Sequence, residues 1–186
     1  MKQDIIHLLK GGKVGVIPTD TLYGLVGSAL NKETVERINQ LKDRSENKSF
    51  IILISSLDDL KLFKIQLDEK TQKFLKKIWP NPVSVILPCS GEKFTYLHRG
   101  TNSLAFRLPK DQKLLELLQQ IGPLVAPSAN PKGEPPARTL EEAKNYFSDS
   151  VDFYLDGEKL TGQPSTLIKI QNHEVILLRK GAFKLS

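Results

Sequence analysis

Cysteine, tryptophan and methionine each occur only once in this 186-residue chain. A single cysteine, Cys89, excludes an internal disulfide and suits a reducing compartment. No apolar run approaches the roughly 20 residues that a membrane helix needs. Residues 1–10 are broken by Asp4 and His7, so they lack the apolar region of a secretory leader. From these absences a cytoplasmic protein, away from membranes, is expected. The three histidines, His7, His98 and His173, stand far apart without metal-ligand spacing, so no resident metal is expected. Neither Gly-x-x-x-x-Gly-Lys-Ser/Thr nor Gly-x-Gly-x-x-Gly occurs, and no nucleophile elbow or Cys–His arrangement stands out. An enzyme built from this chain works by positioning reactants and neutralising charge.

What is present is ordinary in amount and informative in arrangement. A length of 186 residues allows a single domain, 1–186, that buries roughly 70% of its unfolded surface. The formal charge of +6 favours anionic partners such as nucleotides or RNA. Residues 5–9 read as a short amphipathic helix ended by Gly11 and Gly12, and 13–17 as a strand stopped by Pro18. Asn31 opens a helix with Val35, Ile38 and Leu41 on one face. Further helices are expected at 56–63, 69–79 and 111–121, and one more opens at the capping box of Thr139 and Glu142. Strands are expected at 50–54, 83–87, 103–108, 124–126, 151–155, 166–170 and 175–178. Helices and strands alternate early and strands dominate late, which predicts an α/β fold: a mixed sheet with flanking helices.

Four features carry chemistry. The block 17–25, Ile-Pro-Thr-Asp-Thr-Leu-Tyr-Gly-Leu, crowds polar groups at the end of a buried strand, where α/β binding sites sit. It reads equally as a strand followed by a helix capped by Thr19 or Asp20. Lys42, Arg44 and Lys48 mark a helix end: cations stabilised by the helix dipole, or a phosphate clamp. Arg107 shares a strand face with the small Ser103 and Ala105; it reaches solvent or leaves room for a ligand carboxylate. Residues 126–130, Ala-Pro-Ser-Ala-Asn, with Gly133 place hydroxyl and amide groups at another strand end, where turn chemistry also suffices. Ser165-Thr166, Arg179 and Gly181 are uninformative in isolation.

Taken together and in this order, these blocks resemble the YrdC-like threonylcarbamoyl-AMP synthase family. The resemblance runs from Pro18–Leu25 through Lys42-x-Arg44, Trp79-Pro80-x-Pro82, Ala105-Phe106-Arg107-x-Pro109, Ala126–Asn130 and Ser165-Thr166 to Arg179-x-Gly181. It implies a twisted, mixed open sheet around a deep basic cavity. It also implies a nucleotidyltransferase that condenses L-threonine, bicarbonate or CO2, and ATP (arriving with Mg²⁺) into threonylcarbamoyl-AMP and pyrophosphate. A separate transferase complex then modifies tRNA. By the same resemblance, Lys42 and Arg44 are catalytic and grip the triphosphate with Lys48 and Arg179, while Ser128 and Asn130 border the nucleotide. Thr19, Thr21, Tyr23, Arg107, Ala126 and Ser165 hold threonine. The chain has Leu53 where longer members carry a histidine and Pro164 where they carry a glutamate. It also ends at Ser186 without their extra domain, so it is similar to the short bacterial form. Two other readings stand beside this one. A non-catalytic RNA-binding module would suit the charge, with possible tRNA contact, but one tryptophan and four tyrosines make a sparse base-stacking platform. A carbamoyl-transfer enzyme related to hydrogenase maturation would carry zinc-finger or acylphosphatase segments, which this sequence lacks.

Overall fold

The computed structural model describes residues 2–43, 50–171 and 173–185. Helix α1 (Lys2–Lys10) leads into strand β1 (Gly15–Pro18), which turns straight into strand β2 (Tyr23–Ser28). The two form an antiparallel hairpin with Pro18 opposite Tyr23. The alternative of a helix capped by Thr19 or Asp20 is therefore not realised. Thr19 donates to Leu22 O from both its amide (3.2 Å) and its hydroxyl (2.7 Å). Thr19 Oγ1 in turn accepts the amides of Thr21 and Leu22, each at 3.3 Å. A threonine side chain that satisfies its own neighbours in this way closes a turn instead of starting a helix.

Helix α2 (Lys32–Leu41) begins where Asn31 Oδ1 accepts the Thr34 amide at 3.0 Å, satisfying one of the orphan donors of its first turn. Its buried side chains, Thr34, Val35 and Ile38, lie close on β2 because position 27 is glycine. A Cβ there would stand 2.3 Å from Thr34 Cγ2. Strand β3 (Ile51–Leu53) and a 3-10 segment (Leu57–Phe63) precede helix α3 (Glu69–Ile78), strand β4 (Val83–Pro88) and the short helix α4 (Thr95–His98). Strand β5 (Ser103–Arg107), helix α5 (Gln112–Ile121), strand β6 (Leu124–Val125), helix α6 (Leu140–Phe147) and strands β7 (Phe153–Tyr154), β8 (Thr166–Gln171) and β9 (Glu174–Arg179) complete the order.

The strands form one open sheet in the order β7-β1-β2-β6-β3-β5-β4-β8-β9. It is mixed: β1–β7, β3–β5 and β4–β8 are parallel, and the other neighbours are antiparallel. Successive strand residues bury on opposite faces, as the two-residue period requires. Val16 and Ile52 join the larger core, which includes Val35, Ile38, Leu75 and Phe147 from the helices. Their neighbours Ile17 and Leu53 join a second core with Ile5 and Leu9 of α1 and Leu114 and Leu118 of α5. The parallel register sets Leu53 beside Arg107 and Ile51 beside Ala105, so Arg107 stands on the α1/α5 face of the sheet. Among the described residues no helix is long and apolar enough to cross a membrane.

Candidate active site

A cavity of about 140 Å³ opens where the β1–β2 turn, the end of β5, the segment after β6 and the start of β8 converge. Thr19, Thr21, Tyr23, Arg107, Ala126 and Ser165 all contribute to its wall. Ser128 and Arg179 line it too. The sheet order explains this meeting of distant residues. β6 inserts between β2 and β3, bringing residues 126–130 against the hairpin. Leu25 donates to Pro127 O at 2.9 Å and Ala129 donates to Tyr23 O at 2.8 Å.

Arg107 is the centre of the wall. Its side chain is 5% exposed, and Nη2 lies 3.1 Å from Asp20 Oδ1. Nη1 donates to Thr21 Oγ1 at 3.2 Å and Nη2 to Thr19 Oγ1 at 3.4 Å. Burial pulls the guanidinium below its ordinary pKa and Arg179 pushes the same way, while the Asp20 carboxylate opposes them. An arginine starts so far above neutrality that it stays charged regardless. Arg179, also lowered by burial, folds back onto Ser165, donating to its carbonyl from Nε (3.2 Å) and Nη2 (2.9 Å). Two cations thus meet a pocket whose wall mixes hydroxyls with apolar side chains such as Leu22, Ile51 and Pro136, a setting for an anionic group on a small ligand.

Lys42 is 6% exposed, and its ammonium points inward from the end of α2. It donates to Ser128 O at 2.5 Å, Asn130 O at 2.6 Å and Asn130 Oδ1 at 3.2 Å. Asn130 Oδ1 also accepts from Ser128 Oγ at 2.6 Å, and Asn130 Nδ2 donates to Glu134 O at 2.7 Å. Lys42 and Asn130 therefore fasten the segment after β6 from beside the cavity. Arg44 and Lys48 lie outside the described residues. The Tyr23 hydroxyl is turned from the open space: it donates to Gly157 O at 2.9 Å and accepts the Gly157 amide at 3.1 Å. Burial, the largest influence, raises its pKa, so the phenol stays a neutral donor.

Two contributors were absent from the sequence-based site. Asp20 sits inside the singled-out block, yet only its reach to Arg107 reveals a part in the site. Ser84, 0% exposed, contacts Ser165 Oγ at 2.9 Å; the antiparallel register continued by one pair sets it opposite Arg107. A lone hydroxyl in the apolar run 83–87 was the available signal. Pro164 and Leu53 border these residues: Pro164 lines the cavity, while Leu53 is fully buried in the second core. Among the described residues no cluster of three or more His, Cys, Asp or Glu side chains could hold a metal ion.

The Sua5/YciO/YrdC family model, described as telomere recombination, matches residues 7–181. The chain belongs to this family. A relative from Nitrosococcus oceani named threonylcarbamoyl-AMP synthase is 34% identical over 158 residues, 84% of this chain and 84% of the relative. A Pyrococcus abyssi protein of the same name is 32% identical over 181 residues, 95% of this chain and 53% of its own. The solved structure of Pyrococcus abyssi Sua5 complexed with L-threonine superimposes with a TM-score of 0.89 at 29% identity, covering 97% of this chain and 54% of that one. The chain thus spans about half the length of the archaeal protein and most of the length of the bacterial one. The family's fold, a large twisted open sheet with flanking helices, is the fold described above.

Proposed function

We propose that this chain is a threonylcarbamoyl-AMP synthase, condensing L-threonine, bicarbonate or CO2, and ATP into threonylcarbamoyl-AMP and pyrophosphate. The observation that carries the reading is the buried Arg107 guanidinium beside the Thr19, Thr21 and Ser165 hydroxyls in a cavity of about 140 Å³. A small amino acid held there would have Arg107 facing its carboxylate. Family membership and the names of the relatives support the same reaction.

Threonine's amine adds to CO2 to give a carbamate, losing one proton to solvent. A carbamate oxygen then attacks the α-phosphorus of ATP in line, and the bond to the β-phosphate oxygen breaks to release pyrophosphate. No protein nucleophile enters either step. The protein's contribution is register and charge: holding reactants together is worth up to about 7–11 kcal/mol, and fixed cations offset the charge developing on the phosphates. Thr19, Thr21, Arg107, Ala126 and Ser165 surround threonine, and Tyr23 secures the segment around Gly157 beside it. Ser128 and Asn130 border the nucleotide. Arg44, Lys48 and Arg179 grip the triphosphate, and Lys42, its ammonium held by residues 128–130, adds its charge beside it. ATP enters as its Mg²⁺ complex, the ion being part of the substrate. The product passes in the cytoplasm to a separate transferase complex that modifies tRNA.

The test is pyrophosphate release with each amino acid in turn, with and without bicarbonate. Release that requires both threonine and bicarbonate is expected. Release indifferent to the amino acid, or tRNA binding with a steep salt slope and no turnover, would overturn the assignment.

A further inference from the structure

The reaction above gives no part to Asp20, yet its side chain is only 7% exposed and its charge meets Arg107 at 3.1 Å. Its other oxygen accepts the Lys110 amide at 3.4 Å. Thr19 and Thr21 flank it in the same turn, and both accept from the guanidinium. Three consecutive residues therefore hold one cation, and the turn that carries them is itself locked by the Thr19–Leu22 bonds. The hold is incomplete: Asp20 Oδ1 and Arg107 Nε are buried without an aligned hydrogen-bond partner among the described residues. Leaving such buried atoms unbonded costs free energy, and each calls for an explanation in the role of the residue.

We propose that Asp20 is a positioning residue for Arg107 and so sets the preference of the site for an amino acid bearing a free carboxylate. A buried guanidinium without an anion nearby is costly, so an unaccompanied Arg107 would swing toward water and lose its aim. Asp20 holds it against the two threonines whether or not a ligand is present. Because its carboxylate sits on the same cation that a substrate carboxylate would use, two opposite outcomes are possible on its removal. If positioning dominates, carboxylate recognition weakens. If competition dominates, it strengthens. The geometry favours the first, since Arg107 has two hydroxyl acceptors that only work while it is held in place.

The inference rests on Arg107 receiving the substrate carboxylate. The experiment measures pyrophosphate release by wild type, Asp20→Asn and Asp20→Glu with threonine and with threonine amide, alongside KM for ATP and melting curves. For Asp20→Asn, KM for threonine should rise about tenfold or more, the scale of one lost charge contact, while KM for ATP stays within about twofold. Preference for threonine over its amide should fall by the same factor. Asp20→Glu, which keeps the charge, should recover part of that preference. An unchanged or lower threonine KM in Asp20→Asn, or equal losses for acid and amide, would overturn the role. Should Asp20→Asn not fold, Asp20→Glu decides: its longer side chain displaces the guanidinium, so an unchanged threonine KM overturns the role. A wild type indifferent to threonine would overturn the functional reading and this role together. A threonine-dependent wild type with an unaffected variant removes Asp20 alone.

Discussion

Replacing Lys42 by methionine tests whether its ammonium is a fastener of the site as well as a phosphate ligand. The side chain keeps its length and apolar stem but loses the three bonds to Ser128 O, Asn130 O and Asn130 Oδ1. Two of those acceptors keep another donor: Ser128 O retains the Asn130 amide at 3.0 Å, and Asn130 Oδ1 retains Ser128 Oγ at 2.6 Å. Asn130 O is the one left without a further donor among the described residues, a penalty of about 1–3 kcal/mol. The lost charge-assisted bonds add to this, but relief from burying an ammonium acts in the opposite direction. We expect a net destabilisation of about 2 kcal/mol, which in a chain of this length lowers Tm by roughly 4–8 °C. Urea and thermal unfolding of both proteins without nucleotide measure it, with equal urea slopes required. Nucleotide binding is then measured on the folded variant. Unchanged stability together with weakened ATP binding would refute the fastening argument, leaving Lys42 a ligand for phosphate alone.

Arg107→Ala should lower kcat/KM for threonine by about 10²-fold or more, the usual scale for truncating a buried charge contact, while KM for ATP moves little. Arg107→Lys is the variant that retains charge without the fork, and equal use of threonine by all three proteins would remove Arg107 from recognition. Gly181→Ala would put a Cβ 2.2 Å from Pro164 O and 2.6 Å from the carbonyl carbon of Ser165. Backbone must shift there, so stability should fall by about 1–3 kcal/mol and threonine use with it; a melting curve superposable on the wild type would contradict this contact. At Asp152, burial is the largest influence and would raise the pKa, but the Val14 amide, Arg37 and Lys13 together outweigh it and the net shift is downward. A carboxylate depressed in the folded state adds stability above its unfolded pKa of about 3.9, and that stability is lost as pH falls through the folded value. Asp152→Asn should therefore narrow the stability difference between pH 7 and pH 3 in urea titrations. An identical pH dependence in both proteins would show that Asp152 does not contribute to it.

Signals carried between neighbours were legible in the sequence. The Asn31 cap, the alternation of Leu104, Phe106 and Arg107, and the capping box of Thr139 and Glu142 depend on residues at most four apart. The box differs in one detail, since Glu142 Oε2 accepts the Arg138 amide at 2.7 Å, one residue earlier than the cap. Strand β2 was not legible. Its sequence, Tyr-Gly-Leu-Val-Gly-Ser, holds two glycines that weaken strand preference, and it is a strand because β1 and β6 pair with it on either side.

By itself the sequence determined where helices begin and which polar blocks stand at strand ends. It also held the order of blocks that marks the family. Only the tertiary structure decided that Asp20 lies against Arg107, that Ser84 meets Ser165, that the Lys42 ammonium is spent on residues 128–130, and that the Tyr23 hydroxyl is tied to Gly157. The reason is the non-consecutive strand order. Periodicity, caps and turns are set within a few residues, whereas contacts between groups 80 or more residues apart exist only once β6 lies between β2 and β3 and β4 lies between β5 and β8.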